Sequence, residues 1–302
     1  MRHLQSFRFV DAVVKAGSIR KAAESLAITS TALNRRILAL EEELGVDIFE
    51  RQARGVRLST AGEILIHHIR AQLSDMERVK SQIADLSGER RGHVSIACSQ
   101  ALLPYFLPEQ ISVYRSRHPA VTFSVFLRDR AAAEQALVDI SADLALVFEP
   151  VRLSEFQNLL TVRQPVHAVM SASHPLADKK TLRLRECLEY PLALPTAQYG
   201  VRNLLETAAR ARSLTLSPAV ESDSFEFLRH HALAENIVGF QIPIGLPENG
   251  ALPDVVSCPI DKRDVPSGSI YVGQLRNRTL PVAAARFANQ ILETFAARFD
   301  CC

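Results

Sequence analysis

The sequence predicts an N-terminal, essentially all-α winged helix-turn-helix, joined through a long linker helix to a C-terminal α/β domain. Three observations predict this. Within the first 45 residues, apolar side chains recur at helical spacing in three segments separated by short turns. A basic, glycine-containing tip and one long helical pattern follow. Past residue 92, short β-rich runs alternate with helical stretches, the pattern of an α/β fold with parallel strands.

The first helix spans His3 to Lys15, with Leu4, Phe7, Val10 and Val14 on one face. Gly17 ends it, and Ser18 is a suitable N-cap for a second helix that turns Ile19, Ala22, Ala23 and Leu26 inward. After the turn Ala27-Ile28-Thr29, a third helix runs from Ser30 to Leu44, with Leu33, Ile37, Leu40 and Leu44 on one face and Gly45 as its terminator. Two short helices joined by a brief turn form a helix-turn-helix. The run VDIFERQARGVRLST reads as two short strands around a basic tip, a wing. Thr60-Ala61-Gly62-Glu63 has the capping-box pattern and opens a helix to Leu86. Ile66, Ile69, Leu73, Met76 and Ile83 make a coiled-coil-like seam on it, interrupted at Lys80; it pairs with a second copy or packs on its own domain.

Residues 88–92 are polar and glycine-containing, a hinge between the linker helix of residues 61–87 and the domain of 93–302; the wing closes the first domain at residue 60. Strands are expected at 94–98, 121–126, 143–148, 166–170, 191–194, 237–242 and 269–273. The sequence contains no internal repeat and no low-complexity tract.

Composition narrows the function classes. With 47% apolar residues the chain can bury sizeable cores. No apolar run reaches the roughly 18 residues that span a bilayer, and the charged first helix is not a signal peptide, so a cytoplasmic protein without membrane contact is expected. The net charge is +2, but residues 1–60 hold ten Lys or Arg against seven Asp or Glu, so the basic excess lies at the N-terminus, as nucleic acid binding prefers. Cys98, Cys187 and Cys258 are widely spaced, Cys301-Cys302 is terminal, and no CxxC or metal-ligand spacing occurs, so reduced thiols and no metal are expected. The chain lacks GxSxG, GxGxxG, P-loop and HExxH patterns, and the adjacent pairs His67-His68 and His230-His231 diverge on a helix; catalysis is not expected. A solute-binding transport protein and an architectural nucleic-acid binder are the competing classes; the helix-turn-helix argues against the first and the large second domain against the second.

The segment FVDAVVKAGSIRKAAESL…ALNRRILALEEELGVDIFERQARGVRLSTAGE resembles the DNA-binding pattern of the LysR-type transcriptional regulators almost end to end. A weaker likeness to the family's effector domain runs through LLPYFLPEQISVYRSRHPAVTF, ADLAL, SHPLA and DSFEFLRHHALAENIVGFQIP, so the resemblance covers nearly the whole chain. It implies a sequence-specific, effector-controlled regulator that binds double-stranded DNA. It also implies two α/β subdomains of periplasmic-binding-protein type (about 93–163 with 267–302, and 164–266) around a ligand cleft, with dimers through the long helix assembled into tetramers. RNA polymerase is a further candidate partner. One departure matters: Ser30-Thr31 stands where relatives often carry Gln-Pro, and Asn34 where Ser is usual, so no operator sequence carries over.

A helix-turn-helix puts the N-terminal end of its second helix in the major groove. Ser30, Thr31, Asn34 and Arg35 occupy that turn; Asn pairs with adenine, Arg with guanine, and the Thr methyl meets thymine. Thr29 or Ser30 also suits as the helix cap. Arg36, with Arg20 and Lys21, is placed for phosphates, and Arg51 and Arg54 on the wing for phosphate or minor groove.

Ligand clefts form where strand ends converge. That selects Ser99 and Gln100 after the first strand of the α/β domain, Arg128 after the second, Phe148 and Glu149 after the third, Thr196, Gln198 and Arg202 around a later helix start, and Phe240 and Gln241. The family likeness supports these loops, not individual contacts. No cofactor is expected beyond a small-molecule effector; the arginines suggest a carboxylate or amino-acid-like metabolite, although Glu149 and Asp223 suit an amine or could pair with those arginines.

Overall fold

A computed structural model describes residues 2–52, 55–86, 91–150, 154–247 and 254–299. The chain forms two compact units, the first covering residues 1–89 and 139–141 and the second residues 90–138 and 142–302. Arg54, Cys301, Cys302 and most of the predicted hinge lie outside the described residues.

In the first unit, α1 (Arg2–Ala16), α2 (Ile19–Ser25) and α3 (Ser30–Leu44) are followed by the hairpin β1 (Phe49–Gln52) and β2 (Gly55–Leu58), and then by α4 (Thr60–Leu86). The core joins Val10 and Val13 of α1, Ala22 and Ala23 of α2, and Leu33, Ile37 and Leu40 of α3 to Ile48, Phe49, Ile66 and Ile69. The buried Asp11 on α1 pairs with Arg70 on α4 at 3.0 Å and with Lys15 at 2.7 Å, tying the two helices together. Glu41, also buried, accepts hydrogen bonds from the backbone N–H groups of Ile48 (2.8 Å) and Phe49 (3.1 Å), which fixes the start of the wing to the end of α3. Gly55 lies at φ +130°, and a Cβ there would come within 2.4 Å of the Gly17 carbonyl oxygen, which also accepts the Val56 N–H. The wing therefore presses onto the α1–α2 turn, and only glycine fits.

Three local expectations are corrected. Ser18 precedes α2 without a side-chain capping bond. Ser59 rather than Thr60 caps α4: its hydroxyl accepts the Gly62 N–H at 3.0 Å. The apolar seam on α4 divides, because Ile66 and Ile69 are consumed in the unit's own core, with Leu73 packed against it, while Ile83 is exposed; Ile64 and Val79, outside the seam, are exposed as well.

The second unit holds two five-stranded sheets. The first sheet has β3 (Gly92–Cys98), β4 (Val121–Leu127), β5 (Leu144–Phe148) and β6 (Phe156–Gln164), with helices α5 (Phe106–Arg117) and α6 (Arg130–Val138). The second sheet has β7 (His167–Ser171), β8 (Leu192–Pro195), β9 (Pro218–Ser222), β10 (Val238–Gln241) and β11 (Val255–Pro259), with α7 (Leu184–Cys187), α8 (Gly200–Arg210) and α9 (Phe225–Ala234). The chain then returns through β12 (Gly268–Leu275) to the first sheet and ends in α10 (Val282–Arg298). The strand orders are β4-β3-β5-β12-β6 and β11-β7-β10-β8-β9. Each sheet is mixed: β3 pairs in parallel with β4 and β5, and β8 with β9 and β10, whereas β12, β7 and β11 pair antiparallel. The all-parallel expectation fails where the chain crosses between sheets, because a crossover delivers the strand from the opposite end.

Candidate DNA-reading surface and ligand cleft

Thr29 caps the reading helix α3; its Oγ1 accepts the Ala32 N–H at 3.2 Å. That leaves Ser30 to face outward. Leu33, Ile37 and Leu40 are buried, so the opposite face carries Ser30, Thr31, Arg35 and Arg36 exposed, with Asn34 half-buried beside them. Arg51 on the wing donates to Asn34 Oδ1 at 3.1 Å. This link between wing and reading helix was not visible in the sequence. With Oδ1 engaged, the two N–H donors of the Asn34 amide remain for a partner, whereas bidentate pairing with adenine needs the oxygen as well. Arg20 stands 3.6 Å from Glu24, an exposed pair worth little. The surface thus offers hydroxyls, an amide and guanidinium groups on one rigid helix, the chemistry that pairs with base edges and phosphates.

The cleft residues chosen from strand ends have mixed fates. Ser99, Gln100, Arg128, Phe148 and Gln241 come together, joined by Arg130 and Tyr199, which were not among them. The space they enclose is about 20 Å³, room for about one water molecule. The cause is close packing: at Gly200, the first residue of α8, a Cβ would lie 2.8 Å from the Phe148 ring and 2.9 Å from Glu149 Cβ. Most polar ends in the cleft are also occupied. Ser99 Oγ accepts the Phe148 N–H at 3.0 Å. Gln100 bridges the subdomains, donating to the Asp223 carbonyl at 3.0 Å and accepting the Phe225 N–H. Arg130 donates to the Glu149 carbonyl. Arg128 is exposed, stacks over Phe126 at 5.2 Å and donates to its neighbour's carbonyl.

The other five chosen residues lie elsewhere. Arg202 is buried, with Glu206 at 2.7 Å, Glu221 at 3.0 Å and the Pro195 carbonyl as partners, so its charge is spent within its own subdomain. Glu149 sits at φ 52° and accepts the Ser269 N–H at 2.7 Å, holding the β5 end to β12. Gln198 is exposed, and neither it nor the half-buried Thr196 lines the cleft. Phe240 is buried and lines a neighbouring, larger cavity. Burial pushes the thiols of Cys98 and Cys187 up to about 12 and raises that of Cys258, which disfavours the nucleophilic thiolate at all three. Among the described residues no His, Cys, Asp and Glu cluster could hold a metal ion, and no helix is long and apolar enough to cross a membrane.

Residues 4–63 match the model of the bacterial regulatory helix-turn-helix protein, lysR family, and residues 87–296 match that of the LysR substrate binding domain. The HTH-type transcriptional regulator CysB of Burkholderia cenocepacia is 29% identical over 73% of this chain and 71% of its own length. A variant of full-length OxyR from Pseudomonas aeruginosa superposes with a TM-score of 0.74 at 19% identity, covering 95% of this chain and 94% of that one. CbnR complexed with its target DNA superposes with a TM-score of 0.57 at 17% identity, covering 97% and 99%. Family models that span almost the whole chain, on the two folds described above, lead to one conclusion: this protein belongs to the LysR family of DNA-binding transcriptional regulators, with a substrate-binding domain for effectors.

Proposed function

We propose that the protein reads its operator through Ser30, Thr31, Asn34, Arg35 and Arg36 of α3, with Arg51 as a wing contact. The carrying observation is the exposed polar face of α3, opposite its buried apolar face. The Arg51–Asn34 link favours a base acceptor opposite Asn34, such as guanine O6 or N7. The exposed Ile64, Val79 and Ile83 on α4 support self-association through that helix. A dimer would bring two reading helices to two half-sites, and tetramers and contact with RNA polymerase extend the same reading. The role is non-catalytic and cytoplasmic, in keeping with relatives that are named as transcriptional regulators. Effector binding acts by shifting the population of two arrangements of the effector domain, and it does so only through its different affinity for each.

The test is fluorescence anisotropy with a promoter-derived fragment and random DNA over a series of salt concentrations. A salt-sensitive preference for the promoter fragment is expected. Arg35→Ala should cost about 1–3 kcal/mol of that preference while leaving the unfolding midpoint unchanged. Equal affinity for both DNAs in the wild type would remove the operator-reading role.

A further inference from the structure

Next to the closed strand-end cleft lies a cavity of about 470 Å³, within the size range of small-molecule sites. Leu103 and Leu127 of the first subdomain and Phe225, Leu228 and Phe240 of the second give it apolar walls. Among the described residues lining it, Arg229 on α9 is the basic one and Glu226 the acidic one.

Arg229 is held unlike an ordinary surface arginine. Its side chain is only 11% exposed. One terminal nitrogen donates to the Tyr105 hydroxyl across the subdomain boundary at 3.0 Å, and the guanidinium stands 5.9 Å from the Tyr105 ring centroid. Its Nε is buried with no hydrogen-bond partner among the described residues. The nearest carboxylate, Glu226, is 3.7 Å away and 71% exposed, so it is free to turn into water. A charged, fork-shaped donor group has thus been taken out of water beside an apolar cavity with little to balance it. Tyr105 accepts the Arg229 bond and keeps its own proton to donate.

We infer that this cavity binds an organic monocarboxylate with an apolar body of one or two rings. The carboxylate pairs with Arg229 and the Tyr105 hydroxyl, and the body lies among Leu103, Leu127, Phe225, Leu228 and Phe240. This rests on the reading of the chain as a small-molecule sensor and moves the sensing site out of the closed cleft. Because the walls come from both subdomains, an occupant braces them together beside the Gln100 bridge.

The full-length protein is titrated calorimetrically with phenylacetate, indole-3-acetate and hexanoate, and with the amide of each. At least one carboxylate should bind, with its amide at least about tenfold weaker, and Arg229→Gln should weaken the carboxylate by about tenfold or more. If Arg229→Gln fails to fold, Arg229→Lys and Tyr105→Phe carry the test, since each removes part of the fork or its neighbouring donor. No binding by any carboxylate at millimolar concentration overturns the assignment. So does binding that survives the Arg229 and Tyr105 variants unchanged. Binding lost in Arg128→Gln but kept in Arg229→Gln also overturns it, placing the ligand in the strand-end cleft and leaving the sensor reading intact. A carboxylate held by Arg229 that leaves operator affinity and footprint unchanged supports the cavity and removes its sensing role.

Discussion

The reading helix and the strand-end cleft contain similar residue types, yet they use them differently. On α3, the hydroxyls of Ser30 and Thr31 and the guanidinium of Arg35 face outward on a helix whose other side is locked into the core. Among the residues expected at the cleft, Ser99, Gln100 and Glu149 spend their polar atoms on backbone groups, and Arg202 spends its charge on two glutamates. Among the described residues, the first set makes no side-chain hydrogen bond that would keep it from a partner. The second has largely used its hydrogen-bonding capacity to hold strand ends and subdomains in place. Position alone therefore identifies an exposed polar helix face better than it identifies a pocket.

Substitutions at Arg202 and Arg128 break this comparison most sharply. Arg202→Ala leaves Glu206 and Glu221 without their shared partner and empties a buried position, so it should cost about 3 kcal/mol of stability. Arg128→Ala, on an exposed side chain, should cost less than about 0.5 kcal/mol. Urea unfolding of the two variants measures both. If Arg202→Ala were as stable as the wild type, its ion pairs would be incidental and its exclusion from ligand contact would fall.

The same contrast explains what the sequence made legible. Helix faces follow a period, so Leu33, Ile37 and Leu40 were placed inward and Arg35 outward from spacing alone. Capping was legible only to within one residue: Ser59 and Thr60 are both good caps, and only the backbone path at the wing base decides between them. Seven of the ten strands of the second unit follow from apolar runs. Those missed are β6, β9 and β11, whose sequences FQNLLTVRQ, PAVES and VVSCP mix polar residues and prolines into partly exposed strands. Of the cleft residues, Ser99, Gln100, Arg128, Phe148 and Gln241 came together, while Glu149, Thr196, Gln198, Arg202 and Phe240 did not, because a position near a strand end does not reveal side-chain direction. Arg229 and Tyr105 were not visible as a pair, since they lie 124 residues apart and meet only through the subdomain contact.

Acid sharpens the comparison in the second sheet's subdomain. Asp264 is buried, takes two 2.7 Å hydrogen bonds from Arg183 and one of 2.9 Å from the Leu184 N–H, and these partners hold its carboxyl down to about 2. A carboxyl depressed in the folded state stabilises fully above its unfolded value of about 4 and loses that contribution as pH falls toward 2. Asp264→Asn should therefore be less stable than the wild type by about 2 kcal/mol at neutral pH, with the gap narrowing between pH 4 and pH 2. Thermal unfolding across that range reads it; a gap that stays constant would mean the cost is packing and not charge.

The smallest expected effect separates the two candidate caps of α4. Ser59→Ala removes the acceptor of the Gly62 N–H and should cost about 1 kcal/mol. Thr60→Ala replaces the first helical residue with a better helix former and should change stability by less than about 0.5 kcal/mol. Both sit at the base of the wing, where the Ser59 hydroxyl also donates to the Asp47 carbonyl at 2.6 Å. Loosening Ser59 should therefore also weaken the wing's grip on DNA, seen as a shallower salt dependence of operator binding, while Thr60→Ala leaves that slope unchanged. Equal losses from both substitutions would mean that the helix start, and not the Ser59 hydroxyl, anchors the wing.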